Sequence, residues 1–437
     1  MVASSKDFSS DKHGWAELLE PRPMGQKLQG DHKAPWVVIG AGFTGLACAR
    51  RLAELHQDDE ILLLDARLLG QGASGRNAGF AINTSQFPGA YEIAKIPEYK
   101  RLNRINTAGV DLLRAQVLAH SIDCQWDEDG LYYGAADRHS MEQRDHFLRY
   151  LEIMEVKHTA LNQTELNEKL GTNLYQTGVF VPEGVLVQPA SLVYGLADSL
   201  PKNVKVFEQS AVLKIHQGSR IKLDLEQATI TADKVIIATN FEAGKIGFLK
   251  RYLIGSTLAG SFTRVLTKDE LASLGSLSHW GVLSLHGGGA TVRLTNDGRL
   301  MLRNTAEYNG GALLSASQMV ERRIIHRENF ERRFPQLVDV PFEFSWSGVE
   351  GISRNGTNFF GKQSENIYLA GGYNGSGVSK GTAFGACLAE YASGGQSQLI
   401  TDCLASEPGT WMPPRPILDI GAAYTVRSRF KEVGLDR

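Results

Sequence analysis

The most informative part of this 437-residue chain is WVVIGAGFTG, residues 36–45. Four apolar residues run directly into a glycine-rich turn, a pattern typical of a buried parallel strand that ends at a ligand. Apolar side chains then recur at helical spacing from 44 to 56, and residues 60–65, EILLLD, indicate a second buried strand. Strand, glycine turn, helix and strand within about 30 residues predict a βαβ unit.

The glycine turn has the form GxGxxG. Gly40 would permit the tight turn, Gly42 the close approach of the backbone to a diphosphate, and Gly45 the packing of helix against strand. The helix that begins near Thr44 would direct free amides and its positive end at the phosphates. Asp65 ends the second strand, where it would accept hydrogen bonds from ribose hydroxyls. The stretch therefore predicts a dinucleotide site.

Similar features return further along the chain. Residues 234–239, KVIIAT, indicate another buried strand, and residues 366–372 indicate one more strand that enters a late glycine-rich turn. Between them, residues 246–344 are rich in short strands. This interleaving predicts an α/β fold in which a nucleotide-binding domain and an α+β substrate lobe are both discontinuous. The predicted division is 1–34 as a poorly ordered or loosely docked N-terminal arm, 35–90, 176–245 and 346–395 as the cofactor-binding domain, 91–175 and 246–345 as the substrate-binding domain, and 396–437 as a C-terminal extension.

A second glycine-rich segment follows the first closely at residues 70–80, GQGASGRNAGF. Its small residues would let the backbone pass close to a large ligand. Ser74, Arg76 and Asn77 could donate hydrogen bonds to phosphate or ring atoms. On the residues alone, an ordinary surface loop stays an open alternative.

Composition excludes several function classes. The chain is 42% hydrophobic and 22% charged, and its formal net charge of −2 provides no field to attract nucleic acid or an anionic membrane. Four widely spaced cysteines form no CxxC pair and favour a reducing compartment. The sequence has no run of about 18 apolar residues that would predict a membrane-spanning helix, and the polar N-terminal stretch has no signal-like apolar core. The expected location is the cytoplasm.

Two further patterns indicate no separate function. The basic stretch at 321–333, ERRIIHRENFERR, mixes acids with an apolar side and indicates a solvated helix face rather than a nucleic-acid contact. The histidines show no metal-ligand spacing, so no metal site is predicted.

Five segments of the chain resemble one protein family. They are GAGFTGL, LLDA, GASGRNAGF, QPASLVYGLA and IYLAGGYNGSGV, within a resemblance that runs from Lys33 to Gly395. They resemble the D-amino-acid oxidase superfamily of FAD-dependent oxidoreductases, most closely its branch of glycine oxidase, sarcosine oxidase and γ-glutamylputrescine oxidase. The resemblance implies a Rossmann-like FAD-binding domain that is interleaved with a β-rich substrate-binding domain.

The resemblance also implies which residues contact FAD. The first glycine turn would hold the diphosphate, and the second glycine segment would run from the diphosphate towards the isoalloxazine ring. Val212 would face the adenine, and the late turn would pass the pyrimidine edge of the flavin. The implied cofactor-binding residues are Gly40, Gly42, Phe43, Thr44, Gly45, Asp65, Ala66, Arg67, Gly72, Ala73, Ser74, Arg76, Asn77, Ala78, Gly79, Val212, Thr239, Gly372, Tyr373, Asn374, Gly375, Ser376, Gly377 and Val378.

The late glycine turn would also influence the redox chemistry. A helix that begins near Gly381 or Thr382 presents amides and its positive end. Reduced flavin carries negative charge near N1 and O2, so this terminus would favour the reduced state. The alternative on the residues alone is a turn that packs the last helix. Ser376 stands where relatives often have histidine, so redox tuning by that histidine does not carry over.

The resemblance favours FAD that is bound non-covalently. Sarcosine-oxidising relatives commonly tether FAD through histidine or cysteine. Arg76 and Asn77 occupy the region of that histidine, and no cysteine lies within residues 346–361, where the other tether is expected.

Flavin-dependent amine oxidation requires a neutral amine, a C–H bond directed at flavin N5, and the exclusion of water. The protein has to orient the substrate, and an arginine fork suits a substrate carboxylate. The sequence identifies no catalytic residue. Glu350 and His286 could help the amine to lose its proton, but the sequence does not place them in the site. The candidate orienting residues are Arg293, Arg303, Tyr308 and Arg354.

These observations predict an FAD-dependent amine or amino-acid oxidase or dehydrogenase. It would oxidise the C–N bond of a small amine or amino acid to an imine by hydride transfer to flavin, with reoxidation by oxygen or another electron acceptor. Two alternatives stay open: a flavin-stabilised binding or assembly factor without turnover, and an NAD-dependent dehydrogenase. Reduction of the bound flavin by amines would distinguish the oxidase or dehydrogenase from these two alternatives.

Overall fold

The computed structural model describes residues 13–84, 91–431 and 433–436, so residues 1–12 of the predicted arm and 85–90 of the predicted cofactor-binding domain lie outside this part of the chain. The strands are β1 (Gly30–Ile39), β2 (Ile61–Leu64), β3 (Phe80–Ala81), β4 (Leu131–Ala135), β5 (Thr159–Asn162), β6 (Thr177–Val181), β7 (Val185–Leu186), β8 (Val204–Phe207), β9 (Val212–His216), β10 (Ile221–Leu225), β11 (Ala228–Ile237), β12 (Leu253–Thr263), β13 (Trp280–Ser284), β14 (Thr291–Leu294), β15 (Leu300–Glu307), β16 (Phe342–Ser353), β17 (Phe359–Ser364) and β18 (Ile367–Gly371). The helices are α1 (Gly14–Glu17), α2 (Phe43–Leu55), α3 (Ala73–Arg76), α4 (Ile96–Ala119), α5 (Arg138–Ile153), α6 (Gln163–Leu170), α7 (Pro189–Asp198), α8 (Lys268–Ala272), α9 (Ala316–Arg333), α10 (Ser379–Ala392), α11 (Gln398–Leu404) and α12 (Ile417–Lys431). None of these described helices combines the length and the apolar character needed to cross a membrane.

The first sheet contains the predicted βαβ unit. β1, α2 and β2 follow one another, and β1 pairs in parallel with β2 on one side and with β11 on the other. The parallel strands lie in the order β8, β2, β1, β11, β18, so the succession of strands reverses at β1. In open α/β sheets, ligands bind at the carboxyl ends of the strands beside such a reversal. The Rossmann-like domain expected from the sequence is confirmed.

Alternating side chains of this sheet enter two different cores. Val38 and Leu63 point into a core that they share with helices α2, α4, α7 and α10. Val37 and Leu62 point to the other face, where β9 and β10 cover them. Both faces are therefore buried, which is why the strands are uninterrupted apolar runs.

Helix α10 lies against both α2 and α4. A Cβ atom at Gly385 would lie 2.1 Å from the carbonyl oxygen of Thr44, so α2 and α10 are in backbone contact. α4 contributes Ile105 and Val110 to the core of the first sheet. This position differs from the sequence analysis, which assigned residues 91–175 to the substrate-binding domain. An amphipathic pattern shows that one face of a helix is buried, but not which sheet covers it.

The second sheet has the strand order β16, β12, β15, β14, β13, β4, β6, β5, with β13 and β4 as its parallel pair. The predicted turn at residues 296–298 connects β14 to β15, and Gly298 has the left-handed φ of 77° that favours glycine in such a turn. One face of the sheet packs against α6 and α9, for example through Leu166 and Phe330. The other face is directed towards the loops of the first sheet.

The N-terminal segment is docked over its described part. β1 begins at Gly30, so the first sheet includes the end of the segment that the sequence analysis treated as a loose arm, residues 1–34. Trp15 is 1% exposed and packs edge-on against Phe262 of the second sheet. Its Nε1 donates a hydrogen bond to the carbonyl oxygen of Asn77 at 2.7 Å. The described part of the segment therefore joins both sheets, and its polar sequence gave no signal of this.

The C-terminal extension folds back onto the second sheet. Arg333 of α9 and Asp436 form an ion pair in which both side chains are fully buried. The amide of Ala290 donates to the backbone carbonyl of Asp436 at 3.1 Å. Burial raises the pKa of Asp436 to about 6, although the charge of Arg333 opposes this rise.

Candidate functional site

Four strand ends of the first sheet meet at one edge. Gly40 follows β1, Asp65 follows β2, Thr239 lies just beyond β11, and Gly372 follows β18. Because these are neighbouring parallel strands, their carboxyl ends lie side by side. Residues that the sequence analysis expected at the cofactor therefore come together at the reversal of strand order.

The first glycine turn is shaped for close contact. Gly40 has a φ of 102°, which is left-handed and favours glycine. A Cβ atom at Gly45 would lie 1.7 Å from the carbonyl oxygen of Gly40, so the helix meets the turn at a distance that no side chain permits. Gly42 is the N-cap of α2 and has no side chain of its own to cap it, while the amide of Phe43 is bonded to Ser74 Oγ. The amides that follow Phe43 are therefore available to a phosphate.

The second glycine segment repeats this geometry beside the first. Gly72 is the N-cap of α3, with φ −84° and ψ −172°, against −81° and −173° at Gly42. Ser74 Oγ accepts a hydrogen bond from the amide of Phe43 at 3.0 Å. The beginnings of α2 and α3 are thus joined directly, and Ala78 comes shortly after α3.

Asp65 braces the first glycine turn. Its carboxylate accepts hydrogen bonds from the amides of Ala41 and Arg67, each at 2.8 Å. Burial raises the pKa of Asp65, whereas these two hydrogen bonds favour its charged form. A carboxylate has about four acceptor sites, so Asp65 can accept ribose hydroxyls as well.

Arg67 has a protein partner of its own. Its guanidinium pairs with both carboxylate oxygens of Glu242, at 2.8 and 3.0 Å. Burial opposes the ionisation of Glu242, but this pairing prevails and lowers the pKa of Glu242 to about 2. Arg67 and its neighbour Ala66 therefore contribute to the framework at the end of β2.

The residues expected near adenosine lie next to this framework. The amide of Ser210 donates to the carbonyl oxygen of Asp65 at 2.7 Å, and the amide of Gln209 donates to that of Arg67 at 3.2 Å. Val212 is buried and begins β9 shortly afterwards. The structure thus brings Val212 to the same end of the sheet as Asp65.

The late glycine turn is tied to the first one. The hydroxyl groups of Tyr373 and Thr44 form a buried hydrogen bond of 2.7 Å. Asn374 holds the turn itself, because its side chain donates to the carbonyl oxygen of Gly372 at 2.7 Å and accepts from the amide of Ser353 at 2.9 Å. Two loops that lie far apart in the sequence therefore belong to one site.

The end of the late turn leads into α10. Gly375 has a φ of 96°, and a Cβ atom there would meet nothing within 4 Å. Ser376 is buried, Gly377 follows it, and Val378 is the N-cap of α10 without a side-chain cap. The amides of Lys380, Gly381 and Thr382 donate to the carbonyl oxygens of Ser376, Gly377 and Val378, so the turn leads directly into α10. Its place beside a flavin pyrimidine stays a prediction.

Arg76 and Asn77 have roles within the protein. Arg76 is buried and donates to the carbonyl oxygens of Gln71 at 2.8 Å and Ser347 at 3.1 Å. Asn77 Nδ2 donates to the carbonyl oxygen of Ser74 at 2.7 Å, and Asn77 Oδ1 accepts from the amide of Gly79 at 2.8 Å. These hydrogen bonds shape the second glycine segment, and donation by either side chain to a ligand stays a prediction.

Sequence reasoning missed two residues that hold the loops in place. The carboxamide oxygen of Asn240 accepts a hydrogen bond from the amide of Gly372 at 2.9 Å. Trp346 Nε1 donates to the carbonyl oxygen of Arg76 at 3.0 Å. Each residue lies far in sequence from the loop that it holds. The one local signal in the sequence is Asn240 itself, an asparagine shortly after a buried strand. Asparagine is enriched in left-handed backbone, and Asn240 has a φ of 51°.

The residues present fit a dinucleotide of the size of FAD. Thr239 Oγ1 is buried and has no hydrogen-bond partner among the described residues, and a Cβ atom on the neighbouring Gly40 would lie 3.2 Å from Thr239 Cγ2. Cβ atoms at Gly72 and Gly375 would meet open space. Together with the amides that follow Phe43 at the N-terminus of α2, these positions fit a diphosphate and a flavin.

Arg293 is buried beside the second glycine segment, where a Cβ atom at Gly79 would lie 2.5 Å from its guanidinium. It is 1% exposed, and its guanidinium donates to the carbonyl oxygen of Val187 at 2.6 Å. The guanidinium carbon lies 5.2 Å from the centre of the Trp15 ring. Burial lowers the pKa of Arg293 to about 10. Its Nε has no hydrogen-bond partner among the described residues, and its role in orienting a substrate stays a prediction.

Arg303 and Glu350 lie on the face of the second sheet that is directed towards the glycine loops. Arg303 donates to Thr291 Oγ1 at 2.5 Å. Burial lowers the pKa of Arg303 and raises that of Glu350, and in each case the charge of the other residue opposes the shift. Both side chains are only partly buried. The structure therefore brings these two candidates together.

The remaining candidates are Tyr308, Arg354 and His286. Tyr308 donates to Asp419 of α12 at 2.6 Å, and burial together with this hydrogen bond raises the pKa of Tyr308 to about 12. Arg354 is exposed in the turn after β16. His286 lies beside His139 of α5, with ring centres 4.9 Å apart.

Comparisons with known proteins agree with this architecture. The chain matches the family model of the FAD dependent oxidoreductases, DAO, over residues 35–391. It is 28% identical over 407 residues to the gamma-glutamylputrescine oxidoreductase of Escherichia coli (strain K12), which covers 89% of this chain and 91% of that protein. It is also 28% identical over 382 residues to the "Probable oxidoreductase OrdL" of Haemophilus influenzae, which covers 83% of each chain.

Among solved structures, the glycine oxidase of Geobacillus kaustophilus matches with a TM-score of 0.69 at 18% identity, covering 84% of this chain and 96% of that one. This likeness concerns the fold. The family model covers most of the chain, including the first and the late glycine turns and the strands that lie between them in the sequence. The resemblance seen in the sequence is confirmed: the chain is an oxidoreductase and belongs to the FAD dependent oxidoreductase family, DAO.

Proposed function

We propose that the protein binds FAD non-covalently and oxidises the C–N bond of a small amine or amino acid to an imine. The observation that carries this proposal is the junction of the glycine loops. The first turn is bonded to the second segment through Ser74, and to the late turn through Tyr373. The face of the second sheet that carries Arg303 and Glu350 is directed towards these loops.

FAD, when bound, supplies the acceptor for the two electrons that leave the substrate. The chain itself has to hold the cofactor, orient the amine and exclude water. The amides of the first turn hold the diphosphate, and Arg303 offers a fork for a substrate carboxylate. The apolar cluster of Trp15, Phe262, Met301 and Trp346 closes one end of the same face against water. The imine product hydrolyses in water after its release.

The cysteines support non-covalent binding. All four are buried, and they belong to the core of the first sheet. Burial raises the pKa of Cys48 and raises that of Cys124 to about 12, so neither is a reactive thiolate. Ser376, Arg76 and Asn77 provide no tether either. Denaturation should therefore release the flavin into the supernatant.

The reaction is tested by anaerobic reduction of the purified protein's flavin. The panel is glycine, sarcosine, D-alanine, L-proline, putrescine and γ-glutamylputrescine, the last because one relative is named for it. We expect at least one amine to bleach the oxidised-flavin absorbance and to yield the corresponding carbonyl product. Flavin that no amine bleaches would favour a binding or assembly factor. A purified protein without flavin absorbance that takes up no added FAD would favour an NAD-dependent dehydrogenase.

A further inference from the structure

Glu350 points to the same side of its strand as the residues that touch the second glycine segment. Side chains alternate along a strand, so Trp346, Gly348 and Glu350 of β16 share one face. Trp346 donates to the carbonyl oxygen of Arg76, and a Cβ atom at Gly348 would lie 3.3 Å from Arg76 Cβ. Glu350 therefore lies one strand repeat, about 7 Å, beyond the point at which β16 meets the glycine segment.

Arg303 points to that same side from another strand. Gly260 of β12 pairs with Trp346 on one side and with Arg303 on the other, so the side chains of all three positions share a face. β12 separates the two strands that carry Arg303 and Glu350. Both side chains are therefore directed into one space beside the glycine loops.

The two charged groups in this space do not neutralise each other by contact. Each shifts the ionisation of the other, but among the described residues no ion pair or hydrogen bond involves the Glu350 carboxylate. The hydrogen bond of Arg303 goes to Thr291. The space into which both side chains are directed, here called the gap, therefore offers the Glu350 carboxylate as a partner to a small molecule that carries a cation.

We infer that this gap binds the reacting end of the substrate, and that Glu350 binds the substrate ammonium and accepts its proton before the C–N bond is oxidised. The inference rests on the proposed function and adds a catalytic residue to it. The transfer converts R–NH3⁺ and a carboxylate into R–NH2 and a carboxylic acid. The nitrogen lone pair set free is the one that forms the C=N bond, and the proton passes from Glu350 to water when the product leaves.

The surroundings of Glu350 suit a proton acceptor. Burial raises its pKa, and the charge of Arg303 limits the rise, so the carboxylate is more basic than an exposed one yet stays ionisable. Other charged groups lie near this face. Arg76 of α3 is bonded to Gln71 and Ser347, Arg293 of β14 lies against Gly79, and the charge of Asp436 acts on Arg303. From β12, the residue paired with Glu350 is Ser256, which does not titrate.

The test compares Glu350→Gln, which keeps the size and removes the charge, with Glu343→Gln on the same strand. Glu343 is exposed on the opposite face. The probe is the panel amine that bleaches the flavin fastest, followed by stopped flow from about pH 6 to about pH 10. We expect Glu350→Gln to slow reduction about 100-fold at neutral pH, with the deficit shrinking as pH approaches the pKa of the free amine. Glu350→Asp should recover part of the rate, and Glu343→Gln should match wild type.

A second readout does not depend on turnover. 2-Aminoisobutyrate has no hydrogen on its α carbon, so it can bind without being oxidised, and its binding is followed by the change in flavin absorbance. We expect Glu350→Gln to weaken this binding about 10-fold, since an ammonium loses its charged partner.

The inference is overturned if Glu350→Gln reduces its flavin at the wild-type rate, or if its deficit is equal at every pH while binding of 2-aminoisobutyrate is unchanged. In both cases the wild-type protein is active and the proposed function stands. If no amine bleaches the wild-type flavin, the proposed function fails first.

Discussion

At the scale of single residues, the hydrogen bond between Thr44 and Tyr373 joins the first and last loops of the site. It is 2.7 Å long and buried, and burial raises the pKa of Tyr373, so its hydroxyl stays protonated and able to donate. A hydroxyl left unsatisfied in such a place destabilises a protein by about 1–3 kcal/mol. We therefore expect this bond to affect both the stability of the fold and the affinity for FAD.

Tyr373→Phe should lower the free energy of unfolding by about 1–3 kcal/mol and speed the loss of FAD, because Thr44 keeps a buried hydroxyl without its partner. Urea unfolding and the release of flavin fluorescence on dilution measure the two effects. Thr44→Ser keeps a hydroxyl at the same place and is the matched control. Equal unfolding and equal flavin release in Tyr373→Phe and wild type would contradict the prediction.

At the scale of secondary-structure elements, the apolar runs and glycine spacings predicted the βαβ unit and both glycine loops. They did so because strands buried on two faces and turns with left-handed backbone leave a local pattern. The partners of those loops left none: Arg67 meets Glu242, and Trp346 meets Arg76, from distant parts of the chain. Arg76 and Asn77 bond mostly to close neighbours in sequence, Gln71, Ser74 and Gly79, and whether they also reach the ligand stays a prediction.

Gly45→Ala should abolish FAD binding, because the added methyl group would lie 1.7 Å from the carbonyl oxygen of Gly40 and would push α2 away from the turn. Gly421→Ala in α12 is the control, since a Cβ atom there meets nothing within 4 Å. The measurements are flavin content after purification and the melting temperature. A Gly45→Ala protein that retains a full complement of flavin would show that the close contact is not required.

At the scale of the whole molecule, the first and last segments that the structure describes are anchored on the second sheet. Trp15 packs on Phe262 near one end of the chain, and Asp436 pairs with Arg333 near the other. The sequence did not predict either anchor, because both segments are short and largely polar. A pattern of alternating apolar residues identifies sheets, but a single buried side chain in a terminal segment has no period to detect.

Asp436 should make stability fall as pH rises from about 4 to about 6. Its pKa is raised from the ordinary 3.8 to about 6 in the folded state, so the folded protein binds this proton more tightly than the unfolded chain does. Relative to Asp436→Asn, the wild-type free energy of unfolding should decrease by up to about 3 kcal/mol across this window and then level off. Urea unfolding of both proteins at several pH values measures the difference, and a difference that stays constant would refute the assignment.

The order of strands in the first sheet also governs how the protein is made. β1, α2 and β2 leave the ribosome first, but their neighbours β11 and β18 are translated much later. Until β18 emerges, the nascent chain carries unpaired parallel edges and only half of a flavin site. The complete cofactor site therefore requires nearly the whole polypeptide, and the early strands keep open edges until β18 has been synthesised.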